Sequence, residues 1–269
     1  MTRLFVPKDQ LPVITGPDVH YLRSVLRMKA GDALELFDGT GNVYAAKILK
    51  IEDKKIICEI IGTRRQNSEP QVKVTLAQAL PKAKKMDFIV EKCVELGVHE
   101  IIPMLTERTV VARLWRALPS SRIDRWQKIA KEAAEQCGRA IVPAILPLTN
   151  FTDLLKMRGQ FNLALIPWEL EKEKTLKQAL KSVVAELALP VAETSKVRLW
   201  RAATNYHSTT YRPNHLLLMI GPEGGFSAKE VEEAQKAEFT SVSLGKRILR
   251  AETAGMAALA AIMYELDAE

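Results

Sequence analysis

The stretch HLLLMIGPEGGFSAKEVEEAQKAEFTSVSLGKRILRAETA, residues 215–254, constrains the fold more than any other part of the chain. His215 to Ile220 reads as one apolar run, and a strand without polar alternation has to be covered on both faces, as in a parallel sheet. The run stops at Gly221. Pro222, Glu223, Gly224 and Gly225 extend neither a strand nor a helix, and Ser227 with Glu230 forms a capping box that opens a helix through Ala237. Ser241 to Leu244 reads as a second short strand, broken by Gly245, and Lys246 to Arg250 lead into a last apolar helix, Ala251 to Leu266. Two strand ends therefore each carry a glycine loop. In an open parallel sheet, loops leaving the carboxyl ends of neighbouring strands form the ligand crevice, and glycines let backbone groups approach a small molecule.

Spacing argues against two common nucleotide sites. A phosphate-cradling loop needs G-x-x-x-x-G-K-[ST], but Gly245-Lys246 is followed by Arg247 and has no glycine at the required distance upstream. A dinucleotide fingerprint needs G-x-G-x-x-G, which Gly221, Gly224 and Gly225 do not supply.

Upstream the rhythm differs. Residues 3–6 read as a strand, and Pro17 opens a short helix through Arg27, closed by Gly31. Strands follow over Ala33–Phe37, Val43–Ile51 and Lys55–Ile61. The turns DGTGN and EDKK between them indicate antiparallel hairpins and a small barrel. In the short helix Val19, Leu22, Val25 and Leu26 are expected to face the barrel. His20, Arg23, Arg27 and Lys29 then form an outer face, either solvated or available to a polyanion. GTRRQNSEPQ, residues 62–71, is polar and aperiodic and marks a linker, which divides the chain into domains 1–68 and 72–269.

Beyond the linker strands alternate with helices, the pattern of an α/β domain. Val72–Ala79 is a strand, and Lys82–Leu96 a helix whose inner face is Met86, Ile89, Val90, Cys93 and Val94. Glu100–Leu105, a helix from Ser121 to Cys137, a short helix over Thr152–Met157, the strand Phe161–Ile166 and a helix over Thr175–Leu187 follow. Residues 188–214 lack periodicity and are expected to be a mobile surface insertion or an RNA-contacting arm.

GPEGGFS at 221–227 with LGKRILRAETA at 244–254 resembles the bacterial ribosomal RNA small subunit methyltransferase E family of the SPOUT superfamily. So do RLFV at 3–6, HYLRSVLRMKAGD at 20–32, ALPKAKKMDFIVEKCVELGVHEIIP at 79–103 and EAAEQCGR at 132–139, which spreads the likeness over nearly the whole chain. The resemblance implies an α/β fold: a C-terminal SPOUT domain, with a parallel sheet flanked by helices and a trefoil knot, behind an N-terminal PUA-like β-barrel. It also implies a homodimer that binds S-adenosylmethionine and methylates N3 of a uridine in small-subunit ribosomal RNA, either free or in the assembled subunit.

By the family's pattern Leu218, Ile220, Gly221, Glu223 and Gly225, with Leu244, Gly245, Ile248 and Leu249, line the cofactor pocket. Arg250 is expected to stabilise an anionic uracil by donating to one of its oxygens, or else to pair with a phosphate or carboxylate. The carboxylates nearby in sequence, Glu223 and Glu252, are candidate proton acceptors or equally structural groups, Glu252 as a charge at a helix N-terminus. His20, Arg23, Arg27 and Arg139 are expected RNA contacts. The last helix is apolar nearly all round, with small residues at Ala254, Gly255, Ala257, Ala258 and Ala261; it could be buried against its own sheet, and the resemblance implies a two-fold interface. A non-catalytic RNA-binding assembly protein, or a SPOUT enzyme acting on another RNA position, would share many of these features.

The remaining expectations are general. A net charge of +7 supports a polyanionic partner without locating it. No stretch is apolar over a membrane-spanning length and MTRLFVPKDQ has no apolar region of a signal peptide, so a cytoplasmic protein is expected. Cys58, Cys93 and Cys137 read as core thiols, and no cysteine or histidine spacing suits a metal.

Overall fold

A computed structural model describes residues 2–66, 68–82, 85–109, 120–187 and 215–267, so the expectation for 188–214 lies outside the described residues. The chain forms two compact units, Met1–Glu69 with Ala130–Pro143, and Pro70–Ile129 with Ala144–Glu269. Of the linker expected at 62–71, residues 62–65 instead continue a strand, held by pairing to residues 42–45; the first unit ends at Glu69, and the chain re-enters it at residue 130.

The smaller unit holds β1 (Arg3–Phe5), β2 (Val13–Thr15), α1 (Pro17–His20), β3 (Ala33–Phe37), β4 (Asn42–Ile51) and β5 (Lys55–Arg65). Its strands form one sheet in the order β1-β3-β4-β5-β2, antiparallel except for the β1–β3 pair. Inward residues of alternating pattern, among them Leu34, Leu36, Ala46, Ile48, Ile56 and Cys58, make its core with Leu4, Ile14, Val19 and Leu22. After α1 the chain widens into a π-helical turn over Tyr21–Val25. This departs from the regular helix expected through Arg27: the extra residue in the turn rotates the later side chains away from the core. Val19 and Leu22 are buried as expected, whereas Val25 and Leu26 are 60% and 39% exposed.

The larger unit begins with β6 (Lys73–Ala79), α2 (Lys85–Glu95) and β7 (Glu100–Leu105). The buried side of α2 is Met86, Ile89, Val90, Cys93 and Val94, the i, i+3, i+4 stripe of an amphipathic helix. Helix α3 (Ser120–Cys137) follows, divided between the units at residue 130, and then β8 (Ala144–Ile145), β9 (Thr149–Asn150), α4 (Phe151–Lys156), β10 (Leu163–Pro167) and α5 (Leu176–Leu187). The chain ends with β11 (His215–Ile220), α6 (Ala228–Lys236), β12 (Thr240–Val242) and α7 (Ala251–Leu266).

All pairings in this seven-stranded sheet are parallel, in the order β12-β10-β11-β6-β7-β8, with β9 also on β7. Strand β11 is buried at every position, as its unbroken apolar run requires. It lies between β10 and β6, so β10 separates the two glycine-bearing strands that sequence order makes neighbours.

Burial sets the thiol chemistry. It pushes the thiol of Cys58 up to about 11 and that of Cys93 up to about 12, where the reactive thiolate is scarce at neutral pH. Cys137 is exposed rather than in a core. At pH 8 the folded protein should react quickly with one equivalent of an aromatic disulfide reagent, and with all three thiols only after denaturation. Three fast equivalents in the native protein would contradict this packing.

Candidate functional site

Because the large sheet is parallel, the loops that follow β10, β11 and β12 leave from one edge. They enclose a cavity of about 540 Å³ lined by Pro167, Trp168 and Glu169, by Ile220 to Phe226, and by Ser243 to Ala251, with Lys85 and Ala254 completing it. The first loop is absent from the glycine pattern. Its sequence, IPWE, has a proline but no glycine, and only the insertion of β10 between β11 and β12 brings it to the site.

The β11 loop is built tightly. The Gly225 amide donates to the Pro222 carbonyl at 2.9 Å, and Gly225 adopts φ +66°, the left-handed region that favours glycine. A Cβ on Gly225 would stand 2.7 Å from Oε1 and 3.0 Å from Oε2 of Glu169, so the absence of a side chain lets that carboxylate lie against the loop. Arg108 clamps the loop from outside by donating from Nη1 to the Gly224 carbonyl at 2.9 Å. Beyond it the capping box forms as expected, with Ser227 accepting from the Glu230 amide and Glu230 accepting from the Ser227 amide. Such a cap contributes about 1 kcal/mol. In the β12 loop Gly245 has φ +116°, and a Cβ there would meet nothing within 4 Å, so its backbone faces open space at the cavity.

The electrostatics are uneven. Glu223 Oε1 accepts from the Lys82 amide at 2.9 Å and from Lys85 Nζ at 3.4 Å, while Lys85 also donates to Glu252 at 3.2 Å. Burial pushes the Glu223 carboxyl upward, but the donors, led by the Lys82 amide, outweigh it and hold the group below the ordinary carboxylate range. The Lys85 ammonium is correspondingly held above its ordinary value, chiefly by Glu252. Glu223 therefore stays ionised and is a weak proton acceptor. Arg250, the N-cap residue of α7, is exposed on the cavity and, with Lys246 and Arg247, has no ion pair among the described residues.

Most of the residues expected at the pocket meet here: Ile220, Gly221, Glu223, Gly225, Leu244, Gly245, Ile248, Leu249 and Arg250 all line the cavity. Leu218 does not. It lies two residues inside β11, fully buried between Leu165 of β10 and Leu76 of β6, where it supports the sheet. Sequence reading missed Pro167, Trp168 and Glu169, and also Lys85, Lys246 and Arg247.

In the smaller unit His20, Arg23 and Arg27 are exposed, although Arg23 spends one nitrogen on Asp53 at 3.1 Å. Arg139 is placed differently from the expected RNA-facing surface. Its side chain is 6% exposed and is held by Glu69, whose Oε2 accepts from Nη2 at 2.5 Å and from Nε at 3.1 Å. Glu69 Oε1 also accepts the amides of Ala140 and Ile141 at 3.1 Å each, so this arginine fastens the end of α3 to the chain at residue 69.

A second concavity of about 450 Å³ lies beside Leu105, Glu107, Phe151 and the start of α6. Its three carboxylates are already engaged: Glu107 accepts from the Ser227 hydroxyl, Glu230 from the Glu107 amide, and Glu233 pairs with Lys229 at 4.0 Å. No described helix is long and apolar enough to cross a membrane, and no described residues cluster as metal ligands.

Comparison with known proteins matches residues 67–263 to the RNA methyltransferase domain family and residues 14–61 to the RNA methyltransferase PUA domain family. The chain is 32% identical to the ribosomal RNA small subunit methyltransferase E of Bacillus subtilis, over 94% of this chain and 90% of that one. It is 34% identical to the protein of the same name from Synechocystis, over 98% of this chain and 78% of the other. Among solved structures it superposes with a TM-score of 0.72 on the ribosomal RNA small subunit methyltransferase E of Neisseria gonorrhoeae bound to S-adenosylmethionine. That protein is 29% identical, with 98% of this chain and 97% of that one covered.

Proposed function

Because the chain belongs to the ribosomal RNA small subunit methyltransferase E family, we propose that it is an S-adenosylmethionine-dependent enzyme that methylates N3 of a uridine in small-subunit ribosomal RNA. The observation that carries this reading is the convergence of three strand-end loops on one cavity, with an arginine at its lip that has no ion pair among the described residues.

The residues fit the cofactor. A cavity of about 540 Å³ falls within the range that encloses drug-sized ligands. Ile220, Leu244, Ile248 and Leu249 offer apolar cover for a flat ring, while the backbone groups of the glycine loops offer donors and acceptors for its edge. The trefoil knot that the family resemblance implies would fix these loops against one another. When bound, S-adenosylmethionine supplies a methyl group on a cationic sulfur.

The protein's own contribution is positioning and charge. Uracil N3 must lose its proton to water before it attacks, which leaves an anionic ring. Arg250, with no side-chain partner among the described residues, donates to a uracil oxygen and stabilises that charge. Glu223, held ionised beside Lys85, keeps the β11 loop and α2 in place. Lys246 and Arg247 add positive charge where RNA would approach, and His20, Arg23 and Arg27 offer phosphate contacts from the smaller unit.

Helix α7 supports a two-fold dimer. It buries Ala251, Gly255, Ala258, Leu259 and Ile262, yet leaves Ala257, Ala261 and Tyr264 exposed, with Phe88 of the adjoining α2 also exposed. Apolar surface of this kind calls for a partner.

Nucleoside analysis of small-subunit ribosomal RNA tests the reaction. Cells lacking the protein should lose one 3-methyluridine, and the purified protein with S-adenosylmethionine should restore it. Unchanged 3-methyluridine would refute uridine N3 as the target, and a new methyl group at another nucleotide would redirect the assignment.

A further inference from the structure

Two carboxylates line the cavity, and their situations differ. Glu223 is compensated by Lys85 and by the Lys82 amide. Glu169 has no hydrogen bond or ion pair among the described residues, although Lys246, Arg247 and Arg250 line the same cavity. Its carboxylate lies so close to Gly225 that any side chain at that position would displace it. Glu169 is exposed, so water screens it, but a carboxylate on the wall of a site with no protein cation paired to it among the described residues still attracts a positive charge on the ligand.

We infer that Glu169 is the residue by which the site distinguishes the cationic sulfonium of S-adenosylmethionine from the neutral thioether of S-adenosylhomocysteine. The inference rests on the methyltransferase reading and extends it to a specificity-determining side chain. The two ligands share the adenine, the ribose and the amino-acid group, and differ by one methyl and one positive charge. Adenine-binding loops alone would hold both about equally, and the product would then compete with fresh cofactor. A carboxylate near the sulfur favours the charged form and loses its attraction once the methyl has gone, which promotes exchange of product for cofactor. The glycine at 225 is then needed for charge selection as well as for the turn.

Calorimetric titration of the full-length protein measures this directly, without turnover. The wild-type protein should bind S-adenosylmethionine more tightly than S-adenosylhomocysteine, and Glu169→Gln should cut that preference by about five- to tenfold, as expected for loss of one charge contact at a partly solvated site. The loss should fall on S-adenosylmethionine alone, and the affinity for S-adenosylhomocysteine should hold within about twofold. An analogue with an ammonium in place of the sulfonium should follow S-adenosylmethionine. Glu169→Asp, which keeps the charge, should recover part of the preference, and raising the salt should erode it in the wild type but not in Glu169→Gln.

Equal weakening of both ligands in Glu169→Gln would overturn the inference, because Glu169 would then act on a group they share. An unchanged ratio would overturn it as well. Failure of the wild-type protein to bind either ligand would overturn the methyltransferase reading and this inference with it, which separates the two failures.

Discussion

Replacing Arg250 with alanine should lower turnover by about 10²–10³-fold, the usual consequence of removing one donor aimed at a developing anion. Affinity for S-adenosylmethionine should change by less than about twofold. The separation follows from geometry. The cover for the cofactor comes from the backbone of three loops and from side chains that include Ile220, Leu244, Ile248 and Leu249, and Arg250 has no side-chain hydrogen bond to any of them among the described residues. Arg250 makes no side-chain hydrogen bond at the start of α7, so its removal leaves the helix cap unchanged. Single-turnover kinetics alongside calorimetry would read both quantities. Loss of turnover and cofactor binding together would show that the arginine holds the cofactor and not the uracil.

Truncating Glu69 to alanine should have the largest effect on stability, about 3 kcal/mol, because it removes the carboxylate that pairs with the buried Arg139 guanidinium. The Glu69 carboxylate also accepts two backbone amides, from Ala140 and Ile141, which would lose their partner in the same change. Urea unfolding measures the total, and hydrogen exchange should locate the loss within 1–69 and 130–143. Replacing Glu69 and Arg139 together by apolar residues of similar volume should recover much of the loss, since a buried ion pair is often no more stabilising than a packed apolar pair. If the single truncation costs less than about 1 kcal/mol, water must already reach the pair.

Much of the site was legible because its signals are local. The apolar run of β11, the capping box of Ser227 and Glu230, and the glycines at 225 and 245 are each set by neighbours in sequence, and the structure keeps all of them. The α2 stripe was readable for the same reason. The three-residue β2 escaped notice because so short an edge strand is made by its partner, β5, and not by its own pattern. The π-helical turn after α1 had no sequence mark either, and it turned Val25 and Leu26 outward against their periodicity.

Side-chain roles were harder to read than elements. Arg139 and Arg250 are the same residue type in similar settings, one following a helix and one preceding a helix. Arg139 is committed to Glu69, 70 residues away in the chain, and Arg250 has no partner among the described residues. Glu169 shows the converse, an unremarkable carboxylate in sequence that the fold delivers to the cavity.

By itself the sequence determined which segments become strands and helices and where glycine must bend the chain, because backbone sterics and periodic burial act over a few residues. Only the tertiary structure decided that β10 lies between β11 and β12, that Glu169 therefore rests against Gly225, and that Glu69 and not RNA neutralises Arg139. Those outcomes depend on which distant charges and surfaces meet once the chain has closed on itself, and no local pattern records that.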